Sequence, residues 1–191
     1  MDTSNNLRGH LLIAMPSLTD PNFSHTVTYI VEHNKAGTFG LIINRPIDLD
    51  MSDVMRQLSI TSNNQALNLQ AVLLGGPLQP ERGFVLHQSN SELPALWDSS
   101  AAFNDGISVT TSSDIIKALA AGNGPDPMLF ILGYAGWDAG QLEAEIANNA
   151  WLSVAATPEI LFETPMEERW EASARLLGFD PISISPETGH A

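Results

Sequence analysis

The chain contains no cysteine, so disulfides, thiolate zinc sites, iron–sulfur clusters and a cysteine nucleophile are all excluded. Basic residues are scarce: 8 Lys+Arg stand against 22 Asp+Glu, for a net charge of −14, and Lys35 and Lys117 are the only lysines. A surface that coats DNA through its phosphates needs many more cations, which argues against direct nucleic-acid binding. Charged residues make up 16% of the chain, below the roughly 25% usual for a soluble domain. Long apolar runs are also missing. The early run Leu11–Met15 is closed by Pro16, too short for a secretory core and far short of a membrane span. The chain is therefore expected to be cytoplasmic, with no membrane contact. The sequence carries no P-loop, G-x-G-x-x-G, G-x-S-x-G or H-E-x-x-H motif, and nothing in it calls for a cofactor.

What is present suffices for a core. The chain is 43% hydrophobic over 191 residues, which suits one domain. Residues 7–191 are read as that domain and 1–6 as a flexible N-terminus. Residues 9–15 read as a buried strand. Val27, Tyr29 and Val31 alternate with Thr26, Thr28 and Glu32, a period of two that predicts a strand over 25–33. Asn34–Gly37 is a turn signal into a second strand, 38–44, so the pair reads as a β-hairpin ended by Pro46.

Met51, Val54, Met55 and Leu58 predict a short helix, and 59–68 reads as a loop. Residues 70–74 and 84–88 read as a second hairpin through Gly75-Gly76-Pro77 and the turn 79–83. A strand at 107–110, a helix at 113–121 and an apolar strand at 128–132 follow. Gly133–Gly140 then reads as a glycine loop opening a helix to about 149. After a strand at 151–155, Thr164, Pro165 and Glu167 predict a capping box for a last helix ending at Gly178. Early hairpins and later interspersed helices do not give a βαβ rhythm; they predict an α+β domain with a mixed, mostly antiparallel sheet.

Several stretches occur together in a familiar order: Gly9–Pro16, Asp20-Pro21-Asn22-Phe23, Thr26-Val27, Glu32-His33-Asn34, Gly40–Pro46, Gly75-Gly76-Pro77, Leu132–Trp137, Gly140–Glu143 with Glu145, Trp151-Leu152, Arg169-Trp170 and Gly178. In this combination the sequence resembles the AlgH-like, or YqgE-like, family of bacterial proteins from about residue 7 to the C-terminus. The resemblance implies a bifurcated sheet curled into a pseudo-barrel with flanking helices, and a cytosolic protein. It implies no accepted enzymatic activity and supplies no catalytic residues. The family's founding name comes from a proposed regulator of alginate transcription, which implies at most an indirect regulatory role here.

Two places carry candidate chemistry. If His33 pairs with Thr38, Val27 lies opposite Asn44, and His25 falls beside Arg45 and Pro46, with Asp20 approaching from the preceding loop. That hairpin end offers a guanidinium fork, an imidazole and an amide for a small ligand. The structural alternative is an Arg–Asp bridge and an Asn that closes a turn. The second place is Gly133–Gly140, where Gly136 and Trp137 would sit beside N–H groups at a helix start. Its structural alternative is a cap made by Asp138 and Gln141, with the glycines packed closely. Metal binding finds no support: in one strand His25 and His33 would lie roughly 26 Å apart. Glu143 and Glu145 point apart on a helix and read as a solvated face.

The functional expectation is a binding or regulatory domain acting through a protein partner or a small ligand, with loop aromatics such as Trp97 and Trp137 as contact candidates. The alternative is an enzyme or small-anion-binding protein using Asp20, His25, Asn44 and Arg45.

Overall fold

A computed structural model describes residues 6–89, 97, 100–102 and 106–180. The expected flexible terminus, Asn6 apart, and the last residues lie outside that set. The strands are β1 (His10–Ala14), β2 (Val27–Asn34), β3 (Gly37–Ile42), β4 (Pro46–Asp50), β5 (Ala71–Leu74), β6 (Leu78–Gln88), β7 (Ser100–Ala102), β8 (Ile107–Thr110), β9 (Met128–Asp138) and β10 (Trp151–Ala155). The helices are α1 (Met51–Gln57), α2 (Gln65–Asn68), α3 (Asp114–Ala120), α4 (Gln141–Ala147) and α5 (Arg169–Leu176), with a π-helical turn at Glu159–Glu163 and a 3₁₀ turn at Met166–Glu168. No helix among the described residues is long and apolar enough to cross a membrane.

The architecture is α+β, as expected. One mixed sheet runs β10-β1-β2-β3-β9-β6-β8-β7 and is not closed into a barrel, since β10 and β7 are its two ends. The sheet forks at β9. One edge of β9 pairs antiparallel with β6, while the other pairs antiparallel with β3 over residues 135–138 and parallel with β5 over 131–132. Gly75 bridges the fork, donating to the Leu132 carbonyl at 2.8 Å and accepting from the Ile42 N–H at 2.9 Å. Gly76, at φ +155°, packs so closely that a Cβ there would collide with the Tyr134 carbonyl. Glycine is required at that point because backbone meets backbone.

Three clusters make the core, and the strand period of two distributes residues among them. Leu129 and Ile131 of β9 join the cluster under α5, Phe130 joins the one under α1 and α3, and Ala135 and Trp137 join the one under α4. β1 is covered on both faces, which is why His10–Ala14 reads as an unbroken apolar run.

Four expectations are corrected. The strands at 71–74 and 84–88 do not form a hairpin: β5 and β6 lie on opposite edges of β9. Residues 79–83 belong to the irregular, bulged part of β6 rather than to a turn. Pro46 does lie beyond the end of the β2–β3 hairpin, as expected, and begins β4, an edge strand on β5 that tolerates a missing donor. Gly133–Asp138 is strand, not a helix-opening loop. At the last helix Thr164 does not cap; its hydroxyl donates to the Glu159 carbonyl at 3.0 Å, closing the π turn.

Candidate functional site

The β2–β3 hairpin ends where sequence spacing placed it, one residue out of step. His33 does pair with Thr38, but a bulge between Ile30 and Glu32 moves Thr28 opposite Ile42. Asn44 then sits past the last pair. Its Oδ1 accepts the Val27 N–H at 2.8 Å and its Nδ2 donates to the His25 carbonyl at 3.0 Å.

Arg45 reaches back to the loop before β2. It donates to the carbonyls of Pro21 (3.0 Å), Asn22 (2.6 Å) and Ser24 (3.2 Å). The expected Arg–Asp bridge is absent: Asp20 Oδ1 accepts from Asn22 N at 2.8 Å, forming its own local turn. His25 is exposed, at φ 62°, with its ring stacked on Trp170 at 4.2 Å and 18°.

The residue before Trp170 belongs to the same neighbourhood. Arg169 is 4% exposed and donates through Nε to the Thr164 carbonyl at 3.1 Å and through Nη1 to the Ile43 carbonyl. Burial pulls its pKa down to about 10, partly opposed by the charge of Glu167. In the sequence Arg169 stands out only as part of the Arg169-Trp170 landmark, with no motif that gives it a site. Its i, i+4 relation to Ser173, buried beside Ala174, was the available signal.

Gly136 and Trp137 do not meet at a helix start. Gly136 is exposed and pairs with Phe39, and Trp137 is buried. The indole N–H groups of Trp137 and Trp151 both donate to Glu145 Oε2, at 2.9 and 2.8 Å, and Gln141 donates to Oε1 at 2.9 Å. Phe23 packs against both indoles. Glu145 is thus a half-buried polar anchor for two indoles rather than part of a purely solvated face. The expected cap is not made: Gly140 is the N-cap of α4, no side chain caps the helix, and Gln141 Oε1 accepts the Asp138 N–H at 3.0 Å outside it. Glu143 accepts from His33 Nε2 at 2.9 Å, and its own backbone N–H and that imidazole hold its carboxyl below the usual range. His33 Nδ1 in turn accepts the Leu7 N–H at 3.0 Å, so the ring tethers the chain's entry into β1.

Trp97 is half-buried against the α1–α3 cluster and meets the His87 ring edge-on at 5.3 Å. No group of three or more His, Asp or Glu is placed to hold a metal ion among the described residues.

A groove that no motif announced lies between α1, β6 and the start of α3. It encloses about 210 Å³. Val85, Phe130 and Leu132 line it, with the exposed leucines Leu49 (39%) and Leu58 (45%) beside them. Alternation along β6 turns Glu81 and Val85 to this side, while Arg82 lies over the Phe84 ring on the other. Among the described residues Asp53 and Glu81 are the charged ones in its wall, and no Lys or Arg lines it.

A family model described as AlgH-like matches residues 11–182. The chain belongs to the AlgH-like family. A UPF0301 protein of Nitrosospira multiformis is 51% identical, covering 97% of both chains. Another, from Ralstonia nicotianae, is 48% identical over all of this chain and 98% of its own length. The solution structure of the AlgH protein from Pseudomonas aeruginosa is 45% identical with a TM-score of 0.79, covering 100% of this chain and 99% of that one. A crystal structure from Corynebacterium diphtheriae shares the fold at 22% identity and TM-score 0.74, over 96% and 92% of the two chains. Family membership agrees with the forked α+β sheet and assigns no reaction.

Proposed function

We propose that this AlgH-like chain is a cytoplasmic, single-domain binding or regulatory protein, and that its groove takes an apolar segment of a partner protein bearing a basic residue. The observation that carries the reading is the groove's composition: aliphatic and aromatic walls, two partly exposed leucines, and carboxylates as its charged groups. Asp53 is paired with Arg56 at 2.9 Å, so Glu81 is the carboxylate that selects a cationic occupant, reinforced by the net charge of −14. The same charge makes direct DNA contact unfavourable, so any effect on transcription runs through the partner.

Two synthetic peptides of equal apolar content, one with lysines and one with glutamates, test this by NMR titration of the full chain. The lysine peptide is expected to shift resonances of Leu58, Val85 and Thr110 and to lose that effect in Leu58→Asp. Equal binding of both peptides, or shifts elsewhere on the molecule, would overturn the reading.

A further inference from the structure

We propose that Arg169, Arg45 and His25 form a binding site for a small oxyanion, a carboxylate or a phosphate, at the open end of the β2–β3 hairpin. This site is separate from the groove and does not depend on it.

The first ground is how the chain spends its few cations. Arg56 and Arg175 have carboxylate partners, Asp53 at 2.9 Å and Glu171 at 3.2 Å. Arg45 and Arg169 have none among the described residues, although acids outnumber bases 22 to 8. Both bond only to main-chain carbonyls. Arg45 is half-buried, but Arg169 is withdrawn from water, and a buried guanidinium with no opposite charge is costly until an anion arrives. The lowered pKa of Arg169 is the same fact seen in its titration.

The second ground is spare donor capacity. A guanidinium carries five N–H bonds in a planar fork. Arg169 commits Nε and one Nη1 hydrogen, leaving three, and Arg45 commits three, leaving two. Forks of this kind match the paired oxygens of a carboxylate or phosphate.

The third ground is convergence. Arg169 bonds to Ile43, two residues before Arg45. Arg45 holds Ser24, the residue before His25, and His25 stacks on Trp170, the residue after Arg169. The left-handed backbone at His25, uncommon outside glycine, is what puts the ring there. Asn44 fixes that backbone through the His25 carbonyl. Two acids stand nearby: Asp20, whose Oδ1 is taken by the Asn22 N–H, and Glu167, whose charge acts on Arg169 without a contact within salt-bridge range. Neither occupies the fork.

NMR titration of the full chain with inorganic phosphate and, separately, with acetate, at constant ionic strength with chloride as control, tests the proposal. Saturable shifts confined to residues 20–25, 43–46 and 164–170 are expected, and the two arms distinguish phosphate from carboxylate preference. Arg45→Gln is expected to weaken binding about tenfold and Arg169→Gln at least as much, while His25→Asn, which keeps the backbone conformation, weakens it less. If Arg169→Gln fails to fold, the other two variants still decide. Absence of saturable binding by either anion, or wild-type affinity in Arg45→Gln and His25→Asn, would sink it.

Discussion

Arg169 and Glu145 face each other as opposites across the fold. Each is a charge held by neutral groups: buried Arg169 at the start of α5 by the Ile43 and Thr164 carbonyls, half-buried Glu145 on α4 by two indoles and an amide. Glu145 is filled, with both oxygens accepting bonds. Arg169 is half used, with donors to spare. The first is a closed structural anchor, while the second leaves capacity that a ligand can take. Burial alone does not separate a structural charge from a functional one; the count of satisfied bonds does.

The largest expected effect tests the closed anchor. Trp151→Ala removes a fully buried indole that supports Phe23, Trp137 and Glu145 together, and should cost about 3–5 kcal/mol in urea unfolding. Arg169→Leu should cost about 2 kcal/mol, because two carbonyls lose their donor while the desolvated charge is relieved. A loss as large as that of Trp151→Ala would mean that Arg169 is as structural as Glu145, and the contrast would break.

Glu145→Gln should cost about 1 kcal/mol, since the amide keeps an acceptor for the indoles but loses the charge that strengthens those bonds. The smallest effect belongs to Glu143, on the same helix. Its pKa is lowered in the folded state, so its contribution is present above the ordinary carboxylate range and is lost as pH falls through the folded value. Glu143→Gln should therefore slightly flatten the loss of stability on acidification below about pH 4.5, within the small range of exposed pairs. Unfolding midpoints of both proteins at neutral and acid pH measure it.

Much of the sheet was legible in the residues. The apolar runs of β1 and β9 mark their burial, because side-chain direction in a strand is local, whereas β2, whose alternation reads as one polar face, is buried on both faces from Val27 to Val31 with Thr28. The fork was not. Gly75-Gly76-Pro77 has the composition of a tight turn, and only pairing with β9 shows that it spans a change of neighbour along one edge. Glycines at 133 and 136 looked like a loop for the same reason, yet β9 runs through them because β3 and β6 supply its ladder.

At the hairpin end Asn44 and Arg45 were legible as neighbours of the loop that carries Asp20 and His25. Their bonds were not, since a bulge at Ile30–Glu32 shifts the register without any residue that announces it.

By itself the sequence determined the α+β class and the excess of acid, which follow from composition and short-range periodicity, and the family, which follows from the resemblance carried by its ordered landmarks. The tertiary structure decided which charges are spent. Arg169 finds its carbonyl 126 residues away, and Glu145 finds one indole on β9 and another on β10. The physical reason is that a buried polar group must be satisfied by whatever the packed fold brings within hydrogen-bond distance, and for these groups the partners come from other elements of the chain.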